Sequence, residues 1–174
     1  MRNGTLRGML LALAVPVSAS LGQSLTIEAE SGVISAPFAV TNGYVYQPLQ
    51  TGVTNGGRAV YDFTITNGGR YAIKASVSTP TTSSNSFFVR IDGEPQDPDS
   101  VWEFPANTTF TEHIVSCRGN TSPSSHTVYI LSQGPHQLII RGSGANARLD
   151  RLEIVRVPES PPAPPGKLRI VTRP

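Results

Sequence analysis

Residues 134–155, GPHQLIIRGSGANARLDRLEIV, predict two β-strands joined by a glycine-rich loop. Side chains alternate across a strand, so with the second strand beginning near Leu149, Asp150 shares a face with Leu152 and Ile154. If those apolar residues face the core, Asp150 points inward at its rim. An inward carboxylate is unfavourable unless it is paired, hydrogen-bonded or bound to a cation. Two interpretations of Asp150 stay open: a cation ligand, or a cap that accepts hydrogen bonds from loop amides.

The rest of the chain also favours strands and turns. Among 174 residues there are 16 glycines and 15 prolines, with many Thr, Ser and Val. About eight to ten short alternating segments predict an all-β fold, an antiparallel β-sandwich. One predicted hairpin joins the strands on either side of Asn67-Gly68-Gly69. The net charge is +2 and the basic residues are scattered, which argues against nucleic acid or an acidic membrane surface as the partner.

The two ends of the chain predict segments outside this domain. Arg2 and Arg7 precede the apolar run MLLALAVPVSA and small residues follow, which is typical of a secretory signal peptide over residues 1–22. The run is too short to span a bilayer, so we expect no membrane insertion and a secreted protein, extracellular or periplasmic. Residues 158–166 predict a stiff proline-rich linker, and residues 167–174 either begin a further domain or form a disordered tail.

One domain of ordinary size, residues 23–157, lies between these segments. Cys117 is its only cysteine, so an internal disulfide is excluded and a free, buried thiol is expected. The three histidines lack metal-ligand spacing, and no Gly-x-Ser-x-Gly or Cys-His constellation is present in the sequence. We therefore expect that the domain is not an enzyme.

Acidic and aromatic residues supply the candidate sites. The segment LTIEAE, residues 25–30, alternates and places Glu28 and Glu30 side by side on one strand. Two adjacent carboxylates favour either a calcium ion, which prefers hard oxygen ligands, or a solvated edge strand. Tyr44 and Tyr46 share a face and would form either a stacking surface for a ligand or a cross-strand pair. Trp102, in the irregular segment 94–107, would either contact a ligand or anchor its loop.

Taken in order, these motifs resemble the carbohydrate-binding module superfamily of families 6 and 35 over about residues 25–157. The shared motifs are E-A-E at residues 28–30, SFFVRIDG at 86–93, GPHQL at 134–138 and ARLD at 147–150. They are similar to a variant found in secreted, multidomain bacterial proteins. The final segment, residues 167–174, similarly resembles the entry to a fibronectin type III domain.

The resemblance implies a jelly-roll β-sandwich of the galactose-binding-like type that binds extracellular polysaccharide without catalysis. The module is expected to be monomeric, and its parent protein could be a glycoside hydrolase or another carbohydrate-active enzyme. The alternative function is a structural or adhesion spacer, stiffened by calcium, that binds no glycan.

The resemblance also implies the site residues. A structural Ca²⁺ ion would be bound by Glu28, Glu30 and Asp150 and would tie the first strand to the last. Sugar would bind at the loops of one end, or on a sheet face, with aromatic rings against it. By position, the candidate ligand-binding residues are Tyr44, Trp102, Asn146, Arg148, Tyr46 and Asn85. Arg148 stands where the families usually place an asparagine.

Overall fold

The protein is an antiparallel β-sandwich, as expected. The computed structural model describes residues 24–81, 84–119 and 126–158. Its strands are β1 Ser24–Glu28, β2 Val33–Ser35, β3 Ala39–Thr41, β4 Tyr44–Tyr46, β5 Arg58–Ile65, β6 Gly69–Thr79, β7 Ser86–Ile91, β8 Val101–Glu103, β9 Asn107–Ile114, β10 Tyr129–Leu131, β11 Gly134–Gly142 and β12 Arg148–Arg156, with a short 3₁₀ helix, Ala29–Ser31, after β1.

Two sheets share these strands. In the seven-stranded sheet β6 and β12 pair along their length at the centre. The other edge of β12 pairs with β1 and then β4, the other edge of β6 pairs with β10 and then β9, and β3 pairs with β4. The five-stranded sheet has the order β2-β5-β11-β7-β8. No helix in the described part of the chain is long and apolar enough to cross a membrane.

The core lies between β5 of one sheet and β6 of the other. As the alternation predicts, each strand buries one apolar face. The buried residues are Ala59, Tyr61, Phe63 and Ile65 on β5 and Tyr71, Ile73, Ala75 and Val77 on β6. Burying this apolar surface is the main favourable contribution to folding.

The predicted hairpin between β5 and β6 is wrong, because these strands belong to different sheets. The turn at Asn67-Gly68-Gly69 instead carries the chain across the sandwich. The hydroxyl of Tyr71 donates a hydrogen bond to the carbonyl oxygen of Asn67 at 2.6 Å, which holds this turn against the start of β6. Stacked strands let both apolar faces meet across the core, whereas paired strands would lie edge to edge.

Asp150 does not share a face with Leu152 and Ile154, so the prediction that it points inward is wrong. The pairing of β12 with β6 shifts between Leu149 and Arg151, which is a β-bulge. The extra residue lets Leu149, Leu152 and Ile154 all enter the core with 0% exposure. Asp150 is half-buried on the outer face, where its carboxylate accepts a hydrogen bond from the Ser76 hydroxyl at 3.1 Å.

The predicted signal peptide, residues 1–22, lies outside the described residues. So do the linker from residue 159 onward and the predicted tail, residues 167–174.

A histidine ties β11 to the turn after β7. His136 Nδ1 lies 2.6 Å from Asp92 Oδ2, and Nε2 lies 2.9 Å from the Ser132 carbonyl oxygen. Both ring nitrogens therefore face acceptors, and both can donate only when the imidazole is protonated. Burial opposes the charge, but the hydrogen bonds to Asp92 and Ser132 raise the pKa of His136. Burial likewise opposes the charge of Asp92, but hydrogen bonds from His136 and the Gln137 N–H lower its pKa.

We expect the free energy of unfolding to depend on pH through this pair. Because the folded pKa of His136 is raised, its contribution is complete below the unfolded value of about 6.5 and is lost as pH rises through the folded value. Because the pKa of Asp92 is lowered, its contribution is present above about pH 4 and is lost as pH falls through its folded value. His136→Gln should lower the free energy of unfolding by about 1 kcal/mol near pH 5.5. The loss is modest because Asp92 is half exposed and solvent weakens its interaction with His136. Near pH 9 the loss should be smaller. Urea unfolding at both pH values measures this, and equal losses at the two would contradict it.

Candidate functional site

Several predicted binding residues meet on the outer face of the seven-stranded sheet, the face turned away from the core. On β4, Val45 is buried in the core, so Tyr44 and Tyr46 on either side of it point outward. In the pairing of β12 with β4, Arg148 lies directly opposite Tyr46. Phe110, on β9, belongs to the same face and is 38% exposed. We call Tyr44, Tyr46, Phe110 and Arg148 the aromatic platform.

Tyr44 is the centre of the aromatic platform, because it contacts the other three residues. Its ring centroid lies 5.4 Å from that of Phe110 and 6.3 Å from that of Tyr46. The guanidinium carbon of Arg148 lies over the Tyr44 ring, 5.6 Å from its centroid, which is cation–π distance. Two half-buried tyrosine rings, the exposed Phe110 ring and a guanidinium group thus form one surface that can contact the apolar face of a ligand and donate hydrogen bonds to its edge.

Polar side chains continue this face beyond the platform. Next to Arg148 lies the hydrogen-bonded pair of Asp150 and Ser76. Beyond them, the ammonium group of Lys74 is 3.1 Å from a carboxylate oxygen of Glu112 and 3.6 Å from one of Glu153. The aromatic platform is therefore bordered on one side by hydroxyl and charged groups.

Trp102 does not belong to this surface, and its prediction as a ligand contact is wrong. It lies on β8 of the other sheet, is 1% exposed, and packs in the core with its ring centroid 5.0 Å from Phe104 and 6.5 Å from Phe87. The alternative interpretation, a large apolar side chain that anchors its segment, fits this position. Burying so much aromatic surface is favourable, which is why the only tryptophan lies inside.

The two predicted asparagines lie in loops and form hydrogen bonds with backbone carbonyl groups. Asn85 is half-buried, and its side-chain amide donates to the carbonyl oxygen of Phe104 before β9. Asn146 is exposed in the turn before β12, where it adopts a left-handed φ of 61° and its N–H donates to the carbonyl oxygen of Gln47 at 2.6 Å. These contacts hold the loops in place.

Phe110 was not among the residues predicted to bind a ligand. Alternation along NTTFTEHI puts Phe110, Glu112 and Ile114 on one face, and Glu112 marks that face as the solvent side. An outward phenylalanine beside a glutamate was the available signal. Its contact with Tyr44 was not visible in the sequence, because β9 and β4 are separated by β6 and β12.

The three predicted calcium ligands lie on backbone segments that are close to one another. Glu28 ends β1 opposite Arg151, the residue after Asp150. Glu30 lies in the 3₁₀ helix rather than on the strand, so the prediction that it shares a strand face with Glu28 is wrong. Its carboxylate is near the turn at Gly43, where an added Cβ would lie 3.8 Å from Oε1.

The described residues contain no group of three or more His, Cys, Asp and Glu side chains arranged to hold a metal ion. The carboxylates of Glu28, Glu30 and Asp150 are therefore not gathered into a ligand set, and Asp150 is hydrogen-bonded to Ser76 instead. The calcium ion implied by the resemblance stays a prediction.

A separate cavity of about 440 Å³ opens on the flank of the sandwich, beside β7, β8 and β10. Its lining includes Arg90, Cys117 and Tyr129. The Cys117 thiol is free and buried, as expected. Burial raises the pKa of the Cys117 thiol and that of the Tyr129 hydroxyl, so both stay protonated and unreactive near neutral pH.

The sandwich is similar to solved carbohydrate-binding modules. A family 35 module from Clostridium thermocellum matches with a TM-score of 0.53 and 16% identity, over 78% of this chain and 99% of that one. The C-terminal CBM6 of a marine laminarinase from Zobellia galactanivorans matches with a TM-score of 0.53 and 16% identity, over 77% and 100% of the two chains. A β-mannanase with a CBM35 from Podospora anserina matches with a TM-score of 0.55 and 17% identity, over 80% of this chain and 29% of that one.

The chain has the fold of these modules. The resemblance to families 6 and 35 is thereby confirmed at the level of the fold. No family model and no curated protein matches the sequence. Because the identities to the solved structures are low, any function has to be argued from the side chains of this chain.

The burial of Trp102 leads to a prediction about stability. Trp102→Ala should lower the free energy of unfolding by about 3–5 kcal/mol, because it leaves a large cavity beside Phe87 and Phe104. Denaturant unfolding of the variant measures the loss. A loss below about 1 kcal/mol would contradict the core position of this side chain.

Proposed function

We propose that this domain is a noncatalytic carbohydrate-binding module that attaches an exported protein to extracellular polysaccharide. The observation that supports this most is the aromatic platform, where Tyr44 contacts Tyr46, Phe110 and Arg148 on an open sheet face. The fold shared with solved carbohydrate-binding modules agrees with it. Export rests on the signal peptide predicted over residues 1–22.

The chemistry of this surface suits a sugar. A pyranose ring has apolar C–H faces, which pack on aromatic rings, and a rim of hydroxyl groups that exchange hydrogen bonds. Arg148 supplies donors beside the rings, and Asp150 and Ser76 supply further polar atoms on the same face. A shallow surface of this kind binds weakly, with a dissociation constant of roughly millimolar to micromolar, or about −4 to −8 kcal/mol.

The second candidate function is a spacer or adhesion domain that binds no glycan. The burial of Trp102 favours it, because Tyr44 and Trp102 do not form a joint exposed surface. The binding function therefore depends on Tyr44 and Phe110 instead.

Affinity electrophoresis separates the two functions. The full chain should be retarded in a gel that contains one of mannan, galactan, laminarin or xylan. Tyr44→Ala and Phe110→Ala should each reduce that retardation, with binding weakened about tenfold or more, because each removes a ring from the platform.

Ile130→Ala is the matched control. Ile130 is 86% exposed on β10, toward the opposite end of the same sheet, so its removal should leave retardation unchanged. Wild-type mobility that is unchanged in every gel would favour the spacer. Equal retardation of wild type and both platform variants would place binding elsewhere on the domain.

The proposal includes the structural calcium ion. To hold it, the carboxylates of Glu28, Glu30 and Asp150, which are not gathered into a ligand set, would have to turn toward one ion. That ion would tie β1 to β12. Only the neighbouring backbone positions of these acids support it, together with the resemblance.

Calcium should raise the melting temperature, and a chelator should reverse the rise. At calcium roughly a hundredfold above its dissociation constant, the stabilisation would be about 2–3 kcal/mol. Glu30→Gln should abolish the difference between calcium and chelator, whereas Glu94→Gln, on the outer face of the other sheet, should preserve it. Identical melting curves of the wild type with calcium and with chelator would remove the ion from the proposal.

A further inference from the structure

A buried hydroxyl group without a hydrogen-bond partner among the described residues lies on the same sheet face as the aromatic platform. Ser78 on β6 is 1% exposed, and its Oγ has no hydrogen-bond partner among the described residues. The residue lies directly opposite Arg148, which in turn lies opposite Tyr46. Val77 belongs to the core, so alternation directs Ser78 to the outer face. A buried serine would ordinarily bond to a backbone group or to another side chain.

The rings of the platform meet across the two strands that carry Arg148 and Ser78. Tyr44 is on β4 and Phe110 is on β9, and two strands, β12 and β6, lie between them. Adjacent strands are about 4.8 Å apart, so β4 and β9 are separated by about 14 Å. The two ring centroids are nevertheless 5.4 Å apart. The two side chains therefore lean toward each other across β12 and β6, the strands that carry Arg148 and Ser78.

We propose that the Ser78 hydroxyl lies at the base of the aromatic platform and forms a hydrogen bond with the bound sugar. This inference rests on the proposed carbohydrate-binding function. Tyr44 and Phe110 meet over Ser78 in the free protein, and when they part, a hydroxyl group of the bound sugar exchanges a hydrogen bond with Ser78 Oγ. The serine hydroxyl can both donate and accept, which suits a sugar hydroxyl in either role.

Two opposing effects on stability and binding follow from this role. In the free protein an unpaired buried hydroxyl is destabilising, because folding removes it from water without giving it a partner. In the complex the same group gains a partner in surroundings of low polarity, where a hydrogen bond is strong. Replacing Ser78 by alanine should therefore stabilise the free protein and weaken the complex.

Ser78→Ala tests the inference against a matched variant, Ser76→Ala. Ser76 lies two residues earlier on the same face of β6, and its hydroxyl already donates to Asp150. The test uses whichever of mannan, galactan, laminarin and xylan retards the wild type most. Ser78→Ala should bind that polysaccharide about fivefold more weakly than the wild type does. Its melting temperature without polysaccharide should rise. Ser76→Ala should lose stability, because it leaves the half-buried Asp150 without this donor.

The outcomes separate this inference from the proposed function. Retardation of the wild type with equal retardation of Ser78→Ala would overturn the role of Ser78 and leave carbohydrate binding in place. A fall in the melting temperature of Ser78→Ala would also overturn it, since the hydroxyl would then have a partner in the free protein. Wild-type protein that no gel retards would overturn both.

Discussion

The β-bulge in β12 is the constraint on which both the core and the platform depend. Leu149 and Leu152 are an odd number of residues apart, so in a regular strand they would point to opposite faces. The extra residue at the bulge lets both enter the core at 0% exposure. The same irregularity leaves Arg148 and Asp150 together on the outer face, where Arg148 reaches the ring of Tyr44. The bulge thus places Leu149 in the core and Arg148 and Asp150 on the outer face.

Strand identity could be predicted from the sequence because it depends on local alternation. The apolar faces of β5 and β6 are both visible in the sequence and both buried in the structure. Strand pairing could not be predicted in the same way. A turn at Asn67-Gly68-Gly69 fits a hairpin as well as a crossing between sheets, and the choice depends on which distant strands, β11 and β12, occupy the neighbouring edges.

The candidate site was predictable only where its members share a strand or a motif. Tyr44 and Tyr46 are two residues apart, and Arg148 belongs to the motif near the last strand, so all three were identified. Phe110 joins them through a contact across two strands. Ser78 is distinctive only because its hydroxyl is buried without a partner among the described residues. Trp102 was wrongly predicted to contact a ligand, because its local sequence does not show the strand that it belongs to. Its segment is irregular in sequence, but the structure makes it a short strand whose tryptophan fills the core.

The two outer faces of the sandwich both carry paired charges, but they differ in their uncharged groups. On the five-stranded sheet, Glu94 binds Arg58 and Arg141 together, at 2.7 Å and 3.1 Å. On the seven-stranded sheet, Lys74 likewise pairs with Glu112 and Glu153. On the seven-stranded sheet, Phe110 stays partly open to solvent and Ser78 stays unpaired among the described residues. Folding alone does not favour an exposed ring beside a buried, unpaired hydroxyl group. A ligand that covers the ring and pairs with the hydroxyl would remove both disadvantages, so the binding surface is expected on this face rather than on the other.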